Sequence, residues 1–178
     1  MTTTTTPRPA RDPELQRLLD ESAIRTVLAR YGRGIDRMDH EVLLSMFWPG
    51  ALDEHSVYDG PIEGYVEWLK ANHRPDESWM HHNTTQRIEI DGNEAFTETY
   101  CIATNRIPAR DGKPPVDRIV RVRYCDRFER RGDEWRIAHR KVVYSPSVIH
   151  EGFVDWEFGP THLLESRDRS DPSYWGHG

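Results

Sequence analysis

Cysteine is scarce in this chain. Cys101 and Cys125 are the only two in 178 residues, and neither belongs to a Cys-x-x-Cys pattern. A disulfide framework or thiolate metal site therefore has little to build on, and both are read as thiols within strands. No apolar run approaches the roughly 20 residues that cross a bilayer. The opening stretch Met1-Thr2-Thr3-Thr4-Thr5-Thr6-Pro7-Arg8-Pro9 lacks the apolar segment of a signal peptide. The expectation is a cytoplasmic protein with no membrane partner. Excess positive charge is missing as well: the net charge is −6, with basic residues interleaved among acids. That argues against a nucleic-acid partner. Internal repeats are lacking, and so is any composition break that would divide the chain.

What is present suits one domain with a sizeable core, to which six Trp and seven Tyr lend bulk. Residues 1–11 have nothing to bury and are expected to be a disordered tail. Residues 12–148 form the expected body, and 149–178 an irregular arm carrying Phe153, Trp156, Phe158, Tyr174 and Trp175. Asp12-Pro13-Glu14 reads as a helix start, with a capping Asp and Pro at the first position. Leu15, Leu18 and Leu19 follow at helical spacing. Glu21–Asp36 is the strongest helix, because Ile24, Val27, Leu28, Tyr31 and Ile35 share one face. Asp36 sits beside that stripe, and Gly32 and Gly34 let the backbone approach something closely. Helices are also expected over Asp39–Phe47, ended by Trp48-Pro49-Gly50, and over Pro61–Asn72. A short strand or hairpin lies between them at 51–60.

From His81 onward the apolar period falls from 3.6 to 2. Strands are expected over Thr85–Ile90, Ala95–Arg106, Asp117–Arg130 and Glu134–Tyr144, with turns at Asp91-Gly92-Asn93 and Arg131-Gly132-Asp133. Val120, Val122, Tyr124 and Phe128 alternate with Arg121, Arg123 and Arg127, so one sheet face is buried and the other wet or in an interface. Helices first and a meander afterwards give an α+β fold, with the helices on one face of a bent antiparallel sheet.

Histidine is the side chain best able to exchange a proton near neutral pH. His81, leading the polar run His82-Asn83-Thr84-Thr85 into a strand, is the candidate for that work; capping a strand or bonding backbone is the plainer alternative. His82 points to the opposite face and is read as structural, and His139 as surface. His55, beside Asp53 and Glu54, offers only a weak metal set, because ligands must converge in space.

Four pieces carry a family likeness: Ile24-Arg25-Thr26-Val27-Leu28-Ala29-Arg30-Tyr31 running on to Asp36; His81-x-x-Thr84 running into Arg87-Ile88-Glu89-Ile90-Asp91-Gly92; Tyr124-Cys125-Asp126-Arg127-Phe128-Glu129-Arg130-Arg131; and Trp135-Arg136-Ile137-Ala138-His139-Arg140. Over residues 14–148 the chain resembles the SnoaL-like branch of the nuclear-transport-factor-2-like superfamily. This is the cone-shaped α+β fold of scytalone dehydratase, ketosteroid isomerase, bile-acid dehydratase and hexachlorocyclohexane dehydrochlorinase. The resemblance implies that Asp36 and His81 form a base and its orienter, and that Arg140 stabilises negative charge. Tyr31 or Tyr58 would activate a carbonyl. It also implies a homodimer or higher homo-oligomer.

A His–Asp pair in an apolar cone can remove a proton from carbon without metal or organic cofactor. The leading expectation is thus a cofactor-independent lyase or isomerase for a hydrophobic cyclic or polycyclic molecule. The alternative is a non-catalytic binding or assembly subunit resembling the β subunit of ring-hydroxylating dioxygenases. Third comes an epoxide hydrolase, which wants an Asp–Arg–Asp set. Arg140 and Asp126 suit that set only loosely, and no third carboxylate is evident.

Overall fold

The computed structural model describes residues 12–151 and 159–174. Helix α1 spans Pro13–Asp36 without a break. Its cap is the expected one: Asp12 accepts from the backbone N–H of Glu14 at 2.8 Å and of Leu15 at 3.2 Å. Ile24, Val27, Leu28, Tyr31 and Ile35 are buried, whereas Leu15, Leu18 and Leu19 stay exposed. Each fully buried apolar side chain of this kind contributes about 1.5–3 kcal/mol. Asp20 fastens the helix to the sheet, accepting from Arg130 Nη1 at 3.1 Å and Trp135 Nε1 at 2.8 Å.

Helix α2 covers His40–Ser45, capped by Asp39 through the Val42 N–H at 3.1 Å. It is shorter than the sequence reading. Phe47 already opens strand β1, Phe47–Glu54, so Trp48-Pro49-Gly50 lies inside a strand instead of ending a helix. The reason is a register shift between Phe47 and Leu52 against the neighbouring strand. Such an irregularity accommodates a residue without an N–H and, in Gly50, a φ of 73°. A short β2, Asp59–Pro61, pairs with β1 and leads into α3, Ile62–Asn72.

The four long strands are β3 (Ser78–Asp91), β4 (Glu94–Ile107), β5 (Val116–Arg131) and β6 (Glu134–Glu151). Gly92 and Gly132 take positive φ in the expected turns, at 59° and 65°. The six strands form a curved, unclosed sheet in the order β2-β1-β6-β5-β4-β3. All neighbours are antiparallel except β1 and β6, which run parallel. The core lies between the helices and the sheet. On the other face Arg123 and Arg127 meet Glu98 and Glu94 across strands, so the arginine row is largely neutralised.

β3 begins seven residues before the expected Thr85, which places His81 inside the strand. Trp79, His81 and Asn83 turn inward at odd positions, and Gln86, Ile88 and Ile90 at even ones. The parity change requires one extra residue, supplied by a bulge between Asn83 and Gln86. β6 runs seven residues beyond Tyr144. Phe153, Trp156, Phe158 and Trp175 lie outside the described residues. Of the arm, Tyr174 docks on the body, its hydroxyl donating to Asp39 at 2.8 Å. Among the described residues no helix is long and apolar enough to cross a membrane.

Candidate active site

Asp36 is the last residue of α1. A carboxylate there faces the negative end of the helix dipole and two carbonyls without helical partners. Two devices offset this. His81 gives Asp36 its backbone N–H at 3.0 Å to Oδ2 and its ring Nδ1 at 2.6 Å to Oδ1. Arg167, reaching in from the C-terminal segment, donates to the carbonyls of Asp36 at 3.0 Å and Ile35 at 3.3 Å. It also donates to those of Arg74 and Glu77, at 2.6 and 3.3 Å.

With Nδ1–H committed to the carboxylate, His81 presents Nε2 as a proton acceptor. The imidazole is wedged in place. Trp79 stacks on it at 5.9 Å between centroids, and Tyr31 meets it edge-on at 6.0 Å. Asn83, two residues along the same face, donates to the Leu28 carbonyl at 3.0 Å and ties β3 to α1.

His81 opens onto a cavity of about 420 Å³. Ile35, Ala103, Val120, Val122 and Val142 form its aliphatic wall, and Tyr65, Trp68, Trp79 and Tyr124 its aromatic one. His55 and His73 share it, with Glu77 and Arg118 adding charge. His73 stacks on Trp79 at 4.7 Å. Burial, assisted by the nearby Arg167 charge, pulls His73 down to about 4, so it is neutral near pH 7. A larger and more open depression of about 790 Å³ lies against residues 162–168 and contains neither His81 nor Asp36.

The other sequence candidates lie apart from this space. Arg140 is fully buried and grips Asp126 with two bonds of 2.7 Å. Its guanidinium sits 4.1 Å over the Tyr31 ring and 4.3 Å over that of Tyr124. Tyr31 is sealed in the same layer, and burial holds its hydroxyl far above the usual phenol range. Tyr58 donates to the Pro61 carbonyl at 2.9 Å. None of the three lines the cavity.

The sequence reading underrated two sets of groups. Asp126 and Arg140 form a tight pair, and a further carboxylate, Asp53, sits on the neighbouring strand as the Cα register partner of Arg140. All three are buried, with the Arg140 guanidinium against the rings of Tyr31, Tyr124 and Phe47. His55 faces Asp53 at 2.7 Å through Nδ1 and the Tyr65 hydroxyl at 3.2 Å through Nε2. The i, i+2 spacing of Asp53 and His55 on a strand was the available signal.

Known proteins share this framework. A hexachlorocyclohexane dehydrochlorinase, LinA-type3 from Novosphingobium barchaimii LL02, superposes with a TM-score of 0.67 at 18% identity, over 81% of this chain and 99% of that one. A protein of Novosphingobium aromaticivorans provisionally assigned as a scytalone dehydratase gives 0.66 at 17%, over 85% and 99%. The β subunit of a provisionally assigned aromatic-ring-hydroxylating dioxygenase from the same species gives 0.57 at 19%, over 74% and 92%. At these identities the likeness is one of fold. The SnoaL-like domain model matches residues 16–141, from the first turns of α1 into β6. By that match the chain belongs to the SnoaL-like family.

Proposed function

We propose that this protein is a cofactor-independent lyase or isomerase that removes a carbon-bound proton from a hydrophobic cyclic molecule, with His81 as base and Asp36 as its orienter. The observation that carries the reading is the 2.6 Å contact between His81 Nδ1 and Asp36 Oδ1 at the wall of the cavity. The carboxylate selects the tautomer and stabilises the imidazolium as it forms. Proton removal beside a carbonyl begins both dehydration and isomerisation, and general-base action of this kind contributes on the order of 10²–10⁴-fold. Arg140 and Tyr31 act from behind the wall. The guanidinium braces the Tyr31 ring, and Tyr31 in turn braces His81. Tyr58 holds the β2–α3 corner.

The dehydrochlorinase and dehydratase among the structural neighbours support this class of reaction. The dioxygenase subunit supports the rival reading of an assembly partner. Against the rival, aromatic side chains line the cavity without filling it. Phe96, Tyr100 and Ile102 of β4 are exposed together on the outer sheet face, which supports a homodimer through that face.

The test is mass spectrometry of small molecules that co-purify with the native protein and with His81→Ala. A hydrophobic ketone or alcohol retained by the variant and converted by the native protein supports the enzyme. A molecule held unchanged by both supports a binder.

A further inference from the structure

The cavity holds a second imidazole–carboxylate pair. Asp53 lies at the end of β1 and His55 just past it, two residues apart and both turned inward. Asp53 is fully buried, and His55 and Tyr65 nearly so. Asp53 Oδ1 meets His55 Nδ1 at 2.7 Å, and His55 Nε2 meets the Tyr65 hydroxyl at 3.2 Å. The His55 and Tyr65 rings stack at 4.5 Å and 18°. The His55 backbone is pinned on both sides, its N–H donating to the Tyr58 carbonyl at 2.8 Å and its carbonyl accepting from Tyr144 at 3.0 Å. His55 and Tyr65 both line the cavity that His81 lines.

A reaction that draws a proton from carbon needs a donor for the oxygen that gains charge. Arg140, Tyr31 and Tyr58 do not reach the cavity, so that donor has to come from another wall. We propose that the Tyr65 hydroxyl is this donor, with His55 and Asp53 as positioning residues behind it, so that the cavity has a base arm and an acid arm. This rests on the proton-abstraction reading above.

The step balances as follows. Tyr65 O–H gives its proton to the substrate oxygen while an Nε2–H of His55 replaces it, leaving a neutral imidazole whose Nδ1–H stays on Asp53. The carbon proton resides on His81, and exchange with solvent restores both histidines. Asp53 Oδ2, buried without a hydrogen-bond partner among the described residues, leaves that carboxylate free to serve His55. Burial first, with Tyr31 and Asp53 adding to it, holds the Tyr65 hydroxyl well above the usual phenol range, so it is a donor and not a base.

Para-nitrophenol is a probe for such a donor, because its visible spectrum reports whether it is bound as phenol or phenolate. The native chain is expected to bind it and to ionise it at a lower pH than free nitrophenol. Tyr65→Phe, which removes one oxygen, should weaken phenolate binding roughly 10- to 100-fold, the span of a hydrogen bond to a charged group. His55→Gln should move the ionisation pH of the bound probe back toward the free value, which a purely structural role would not do. His81→Gln should keep phenolate binding, so the two arms fail separately. The proposal is overturned if native protein does not bind the probe, if Tyr65→Phe binds it as native does, or if His81→Gln is the variant that loses it.

Discussion

Gly32 of α1 lies against His81 of β3 so closely that a Cβ built on it would stand 3.4 Å from the His81 carbonyl oxygen and 3.6 Å from the His81 Cβ. That approach brings Asp36, one turn further on, within reach of the imidazole. Gly34 is tighter, its Cβ meeting three Leu43 atoms at 3.2 Å, two of them backbone.

The two glycines therefore separate in their response to alanine. Gly32→Ala fits at ordinary contact distance and gains helix propensity, so it should stabilise by roughly 0.5–1 kcal/mol. Gly34→Ala must push α2 away and should yield no gain. Thermal unfolding of the two variants checks the contrast; equal gains would show that α2 is not packed as described.

Arg140 and Asp126 are a buried ion pair, and removing one partner strands the other. Arg140→Met should cost about 3–5 kcal/mol, and adding Asp126→Leu should recover only part of that loss, because Asp53 stays buried beside the vacated position. Denaturant midpoints of the single and double variants measure it.

Arg167 is the side chain of the C-terminal segment that bonds directly to the end of α1. Arg167→Ala strips four backbone carbonyls of a charged donor, two of them at Ile35 and Asp36, and should cost at least about 2 kcal/mol. Arg169→Ala, an exposed side chain that loses a 3.2 Å contact to exposed Glu41, a 4.0 Å one to Asp39 and a loose one over the Tyr174 ring, should change stability by less than about 1 kcal/mol. Urea unfolding distinguishes the two.

His73 ties stability to pH. Its folded value of about 4 lies below its ordinary 6.5. Between those limits the unfolded chain binds a proton that the folded chain refuses. Its contribution is complete above about pH 6.5 and is lost as pH falls toward 4. His40 is displaced in the same direction, chiefly by burial. His73→Phe should therefore flatten the decline in stability between about pH 6.5 and 4, as read from urea midpoints.

The helices and the meander were legible because burial follows period there: Ile24 to Ile35 at 3.6 and Val122 to Phe128 at 2. The start of β3 was not, since Ser78-Trp79-Met80-His81-His82-Asn83 alternates in burial without alternating in polarity. Pro49 and Gly50 read as a stop because a bulge that tolerates them leaves no local mark. The parallel β1–β6 contact, and with it the Asp53–Arg140 neighbourhood, is a long-range fact that no local spacing encodes. His81 was reached from its imidazole at the mouth of a strand, its pairing with Asp36 was strengthened by family likeness, and their 2.6 Å contact needed the fold. Arg167 was hidden in a polar tail, where an arginine bonded to backbone looks like any solvated charge.

Solvent-deuterium exchange beside the carbonyl of a panel of cyclic ketones, β-tetralone among them, tests the central claim most directly. The native chain should accelerate incorporation, and Asp36→Asn and His81→Gln should each reduce it on the order of 10²–10⁴-fold while remaining folded. Exchange by the native chain no faster than in buffer, or equally fast in either variant, would contradict the account.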